Sequence, residues 1–138
     1  LPLSLIIYDL DHFKKINDSH GHPAGDFILQ KISECTKGLI RHEDIFARYG
    51  GEEFVILMRD TDENNAVKLA ERLRRKIFQS TFVFETNAIP VAISVGVATL
   101  TNDNFKTFEE LIKEADRYLY YSKSNGRNRV SALRLVSS

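Results

Sequence analysis

Two glycines, Gly50 and Gly51, interrupt a stretch that is otherwise strand-like. Ala47-Arg48-Tyr49 precedes them, Phe54-Val55-Ile56-Leu57 follows, and two carboxylates, Glu52 and Glu53, stand directly behind the turn. Apolar runs on either side of a Gly-Gly pair read as a β-hairpin. Glycine permits the positive φ of tight hairpin turns, and without a Cβ it lets a ligand approach the backbone closely. The chain is therefore expected to build a sheet with acid at a hairpin tip, a place suited to phosphate and metal chemistry. Taken alone, such a tip is equally a solvated turn with surface acids, so the reading depends on what lies upstream.

Upstream, Leu5-Ile6-Ile7-Tyr8-Asp9-Leu10-Asp11 has the pattern of a buried strand that ends in two carboxylates one residue apart. On a continuing strand Asp9 and Asp11 point to one face and Leu10 to the other. Carboxylates near an apolar core are costly unless neutralised. A hard cation with oxygen ligands does this, and Mg2+ takes only one or two carboxylates alongside substrate phosphates. The residues alone thus point to a Mg2+ and phosphate site shared by a strand end and a hairpin.

With 138 residues, 43% of them hydrophobic, the chain has material for one compact core and is short for two. Nineteen basic residues balance nineteen acidic ones. No global field is available to hold nucleic acid or an anionic membrane, so any phosphate binding must be local. Cys35 is the only cysteine and has no internal disulfide partner. No long apolar window or signal-peptide pattern is present, which makes the cytoplasm the expected compartment, with a membrane-anchored parent left open.

Helical stripes run from Asp26 to Ile40 (Ile28, Ile32, Cys35, Leu39), from Ala66 to Phe78 (Leu69, Leu73, Ile77) and from about Thr107 to Asn125-Gly126 (Phe108, Leu111, Ile112, Ala115, Leu119). Asn64-Asn65 reads as a helix start. Strands fit Leu3–Tyr8, Ile45–Tyr49, Phe54–Met58, Pro90–Thr99 and Arg129–Leu133, with Phe82–Phe84 a short edge. The order, βαββαβ followed by αβ, predicts an α+β sandwich with helices against a mainly antiparallel sheet. Cys35 is expected to be a small core residue, and Phe78, Phe82, Phe84 and Phe105 to fill core. His12, His20 and His22 lack the spacing of a zinc site and are expected to play local hydrogen-bonding roles.

Four separated motifs bring a family into view. Asp9-Leu10-Asp11-His12-Phe13-Lys14-Lys15-Ile16-Asn17-Asp18, Gly21-His22-Pro23-Ala24-Gly25-Asp26, Arg48-Tyr49-Gly50-Gly51-Glu52-Glu53-Phe54 and Lys123-Ser124-Asn125-Gly126-Arg127-Asn128 occur in the order and approximate spacing of the GGDEF family, the diguanylate cyclases. The resemblance runs from about Leu5 to Val130. GGEEF keeps an acid at the third position of the signature. The resemblance implies a palm-like fold shared with nucleotidyl cyclases and polymerases. It also implies a single GGDEF domain over 1–138. The helix and turn segment that usually precede the first core strand of such a domain are absent, so the chain is expected to be a fragment of a longer signalling protein.

Carried onto these residues, the family pattern implies that Asp9 and Glu52 bind metal, with the Leu10 carbonyl and Glu53 assisting. It implies two Mg2+ ions per active site, or Mn2+ in their place, and makes Asp9, Glu52 and Glu53 the catalytic group. Asn17 and Asp26 match the guanine readers. Lys123 and Arg127 match the residues that hold the terminal phosphates, with Lys14 and the backbone near His12 and Phe13 assisting. Arg41 and Asp44 fit an Arg-x-x-Asp product-inhibition site, and Arg72 fits its secondary arginine; helix-end salt bridging is the alternative for this weaker pattern.

The implied activity is condensation of two GTP into cyclic di-GMP and two pyrophosphates across a transient homodimer of such domains, with cyclic di-GMP as product and inhibitor. The alternative is a non-catalytic module that senses GTP or cyclic di-GMP. No template-binding basic surface is evident, so neither a polymerase-like role nor nucleic-acid or membrane contact is expected.

Overall fold

A computed structural model of the chain describes residues 1–102 and 107–136. In chain order the elements are β1 (Leu3–Leu10), α1 (Phe13–His20), α2 (His22–Lys37), β2 (Ile45–Arg48), β3 (Glu53–Arg59), α3 (Glu63–Gln79), β4 (Phe82–Phe84), β5 (Asn87–Ile89), β6 (Ile93–Leu100), α4 (Phe108–Ser124), β7 (Arg129–Ser131) and α5 (Leu133–Val136). Five strands form one sheet in the order β2-β3-β1-β6-β7, and β4 pairs with β5 in a separate hairpin. Every neighbour in the main sheet is antiparallel except β6 and β7, which run parallel.

β1 lies at the centre of this sheet and is covered on both faces, which is why it reads as a continuous apolar run. Its alternation splits the core in two. Ile6, Tyr8 and Leu10 join Ile28, Ile32, Leu73 and Ile77 of α2 and α3, while Leu5 and Ile7 join Leu111, Ala115 and Leu119 of α4. On the first face Tyr8 stacks on Phe54 at 5.3 Å between ring centroids, and its hydroxyl meets the Thr36 hydroxyl of α2 at 2.6 Å. On the second face α4 presses directly onto β6 at Gly96, where a Cβ would lie 2.1 Å from the Ala115 carbonyl oxygen. This close approach sets the C-terminal end of α4 beside the end of β1.

Caps fix the long helices. Asp62 accepts the Asn65 N–H at 2.8 Å at the start of α3, and Thr107 accepts the Glu110 N–H at 3.1 Å at the start of α4. The expected mainly antiparallel sheet with flanking helices is therefore present, with several local differences. α1 was not foreseen, because it buries only Ile16. α2 begins at His22, ahead of the expected Asp26, with Pro23 in its first turn. β6 begins at Ile93 rather than Pro90, and β7 stops at Ser131, after which α5 takes over. Phe82 is buried and Phe84 packs against the core, but Phe78 is 57% exposed. It lies one position beyond the buried Ile77 and so on the outer side of α3. Phe105 lies outside the described residues. Cys35 is half-buried against the core.

Candidate functional site

β1 delivers two acids to one corner of the sheet, and the structure treats them differently. Asp11 is held on every side. Its N–H donates to the Ala92 carbonyl at 2.8 Å, Oδ1 accepts the Ser94 hydroxyl at 2.5 Å, and Oδ2 accepts the Asn128 N–H at 2.9 Å. The Arg127 guanidinium stands 3.8 Å from Oδ1. Asp9 is equally buried, yet only its Oδ2 is engaged, by the Lys123 ammonium of α4. Asp9 Oδ1 is buried and has no hydrogen-bond partner among the described residues. Burial raises the Asp9 carboxyl from 3.8 to about 6; Lys123 opposes the rise, and the Asp11 and Glu53 carboxylates add to it. A buried carboxylate with an unused oxygen and acidic neighbours is a donor set that fits a hard cation. Leu10, the remaining expected ligand from this strand, is its last residue.

The hairpin stands across from this corner, with Glu53 directly opposite Asp9 in the β1–β3 register. Glu52, half-buried, lies one residue earlier in the turn. The three acids are not gathered into a closed cage: among the described residues no group of three or more His, Cys, Asp or Glu side chains is placed to hold a metal ion. Among the described residues Lys123 supplies the neutralising charge at Asp9. The expectation of positive φ at Gly50 and Gly51 is also corrected, since among glycines only Gly21 and Gly126 adopt it. The hairpin closes through a wider loop, in which the Tyr49 and Gly50 N–H groups share the Glu53 carbonyl at 2.8 and 3.3 Å. Arg48 reaches back to the carbonyls of Gly50 and Gly51, at 3.2 and 3.0 Å from Nε. Nothing lies within 4 Å of where a Gly51 Cβ would stand, so the chain's own packing does not require glycine there.

Asn17, on α1, lies against α2, and its buried Oδ1 also has no hydrogen-bond partner among the described residues. Asp26 is exposed on α2 and lines a cleft of about 390 Å3 with Leu29, Phe46, Arg48 and Phe54. Between β1 and α1, His12 adopts a left-handed conformation with φ 56° and starts the helix. Phe13 packs against the core, and Lys14 is exposed. Lys123 sits on the last turn of α4 and Arg127 on the loop that follows. Both lean on the acids of β1, so the structure gathers Asp9, Asp11, Lys123 and Arg127 at one place.

The Arg41 and Asp44 pair is a closed fastening. The Asp44 side chain is fully buried and accepts the Arg41 N–H at 2.8 Å and its guanidinium at 3.0 Å. That guanidinium also donates to the Arg59 carbonyl at 2.9 Å and the Thr61 hydroxyl at 2.7 Å. Arg72 lies in an adjoining cleft with Lys68, Arg75 and Lys76, and Leu39 lines both clefts. Arg72 therefore stands near the pair, across the shared Leu39.

Reading the sequence missed three features here. Ser94 and Asn128 secure Asp11, Arg48 secures the hairpin, and Gly25 leaves room for Asn17. Arg48 carried a local signal, a cation placed just before the turn; Gly25 and Asn128 stood in the quoted motifs without a role of their own, and Ser94 had no signal.

The fold and this corner define a class, a mixed α/β domain whose central antiparallel strands carry acids against a basic helix end. The model of the family described as "Diguanylate cyclase, GGDEF domain" matches residues 1–129, and the chain belongs to that family. Diguanylate cyclase A of Treponema denticola is 40% identical over 129 residues, which cover 94% of this chain and 34% of that protein. The chain thus spans about a third of the length of that relative. Among solved structures, the GGDEF domain of DgcB from Caulobacter crescentus in complex with c-di-GMP superimposes with a TM-score of 0.90 at 27% identity, covering 96% of this chain and 78% of that one. The active GGEEF domain of a diguanylate cyclase from Vibrio cholerae gives 0.87 at 33% identity, covering 95% and 82%. Among the described residues no helix is long and apolar enough to cross a membrane.

Proposed function

We propose that the chain is a diguanylate cyclase domain, one domain of a longer cytoplasmic or membrane-anchored signalling protein, and that it condenses two GTP into cyclic di-GMP and two pyrophosphates. The observation that carries this reading is the Asp9 carboxylate. It is buried, uses one oxygen on Lys123, keeps the other unpartnered, and faces the acidic hairpin across the sheet. Asp9 and Glu52, with Glu53 and the Leu10 carbonyl, would hold two Mg2+ or Mn2+ ions, which supply neutralisation of phosphate charge and activation of the attacking hydroxyl.

The remaining roles follow from residue chemistry. Asn17 and Asp26 read guanine: a carboxylate accepts from the N1–H and 2-amino donors, and an amide pairs with a neighbouring edge atom. Lys123 and Arg127, with Lys14 and the backbone at His12 and Phe13, hold the terminal phosphates as a point charge and a planar fork. Each domain holds one GTP, so two domains face each other, and each ribose 3′-hydroxyl attacks the opposite α-phosphate as pyrophosphate leaves. Cyclic di-GMP binding near Arg41, Asp44 and Arg72 supplies product inhibition. Incubation with GTP and Mg2+ followed by chromatography tests the reading. Cyclic di-GMP and pyrophosphate in a 1:2 ratio are expected, whereas bound but unconverted GTP would make the domain a sensor.

A further inference from the structure

The loop that carries Arg127 is bent against its own backbone preferences. Gly126, Arg127 and Asn128 have φ of 114°, 61° and 44°, three successive residues on the left-handed side. Glycine takes such values freely and asparagine tolerates them, but for arginine the left-handed region is disfavoured and persists only where surroundings enforce it. The enforcement comes from three directions. The Arg127 N–H donates to the Ser122 carbonyl at 2.9 Å, which ties the loop to α4. The Asn128 N–H donates to Asp11 Oδ2 at 2.9 Å, which ties it to the residue directly after β1. The Asn128 side-chain oxygen accepts from Arg74 Nη1 of α3 at 2.8 Å, and Arg74 is itself held by Glu71 at 2.5 Å.

Arg74 is far from the acids in sequence, and its side chain is 17% exposed, less than the 67% of neighbouring Arg75. Its hydrogen bond to Asn128 links α3 to the segment that points Arg127 toward the acids of β1. We infer that Arg74 and Asn128 are positioning residues. They lock the left-handed loop so that the Arg127 guanidinium is already aimed where the terminal phosphates of the nucleotide bind. The inference rests on the phosphate-holding role proposed for Arg127. It adds two residues, one on a different helix, to the machinery that sets triphosphate affinity.

The test compares two ligands by calorimetry in the presence of Mg2+: a GTP analogue that cannot be cleaved between its α- and β-phosphates, and GMP. Arg74→Met and Asn128→Gly should each weaken the triphosphate analogue by about tenfold, the loss of one well-aimed charged contact. GMP affinity should stay at the parental value. Asn128→Gly keeps the left-handed backbone accessible, so its loss would come from the missing acceptor. Combining Arg74→Met with Arg127→Ala should weaken the analogue no more than Arg127→Ala alone. A parental ratio of analogue to GMP affinity in Arg74→Met and Asn128→Gly, with that ratio reduced in Arg127→Ala, would overturn the positioning role and leave the Arg127 role standing. An unchanged ratio in Arg127→Ala would overturn both. Equal weakening of the two ligands in Arg74→Met would show a merely structural contact and also overturn it.

Discussion

Asp9 and Asp44 are both buried carboxylates facing a single cationic side chain, and the contrast between their surroundings separates fold from function. Asp44 closes a turn in which Arg41 supplies both a backbone N–H and a guanidinium, and the spare donor capacity of that guanidinium goes to Arg59 and Thr61. Asp9 has one partner for two oxygens, two acidic neighbours and a raised carboxyl. A completed network stabilises the fold. An incomplete one destabilises it and leaves an oxygen with capacity to bind a ligand. The same distinction holds along β1 and the residue that follows it, where Asp11 is completed by Ser94 and Asn128 while Asp9, two residues earlier, is not.

The contrast is broken most sharply at the hairpin. Glu52→Gln should lower cyclic di-GMP formation by about 10^2–10^3-fold, the scale for losing one group that stabilises transition-state charge, with thermal unfolding close to that of the parent. Near-parental turnover at saturating Mg2+ would remove Glu52 from the mechanism. The closed region should respond in the opposite way. Asp44→Ala should lower unfolding free energy by about 1–3 kcal/mol, because it strips the Arg41 N–H and guanidinium of their buried acceptor. Turnover per folded domain should change little, while the product concentration needed for inhibition rises. Urea unfolding and inhibition curves at matched GTP check both parts.

The smallest effect is expected at Gly25, where the two kinds of region meet. A Cβ there would stand 1.9 Å from Asn17 Oδ1 and 3.1 Å from Phe13 Cζ, both ends of side chains that can shift, so Gly25→Ala should cost little stability. Rotation removes the amide from the guanine edge, and KM for GTP should rise by about tenfold, the scale of one buried hydrogen bond. Steady-state kinetics with GTP and ATP check this, because a loss of discrimination between them points to the base and a uniform loss does not.

What the sequence made legible, and what it hid, follows from the range of the forces involved. β1, β3 and α4 announce themselves because their apolar patterns and caps are local, with Thr107 at one end of α4 and Asn125-Gly126 at the other. α1 has no such pattern. Its single buried residue, Ile16, gives no stripe, and the helix is defined by packing against α2. Asp9, Glu52, Glu53, Lys123 and Arg127 stand out by residue type and motif order. The fastening of Asp11 is invisible to that reading because Ser94 and Asn128 lie 83 and 117 positions away. Phe78 shows the complementary limit. Aromatic character suggested core, but the phase of α3 had already assigned the inward position to Ile77.

The account is tested most directly at Asp9 itself, by unfolding the metal-free parent and Asp9→Asn across pH. Folding raises the Asp9 carboxyl from 3.8 to about 6, so the folded domain holds that proton more tightly than the unfolded chain does. The resulting stabilisation is fully present below pH 3.8 and is lost as pH rises through about 6. The difference corresponds to about 3 kcal/mol. Relative to the parent, Asp9→Asn should therefore gain stability between pH 4 and 7 by up to that order, and it should form no cyclic di-GMP from GTP and Mg2+. A variant that is less stable than the parent at pH 7, or one that still turns over GTP, would contradict the claim that this carboxylate is held for chemistry against the interest of the fold.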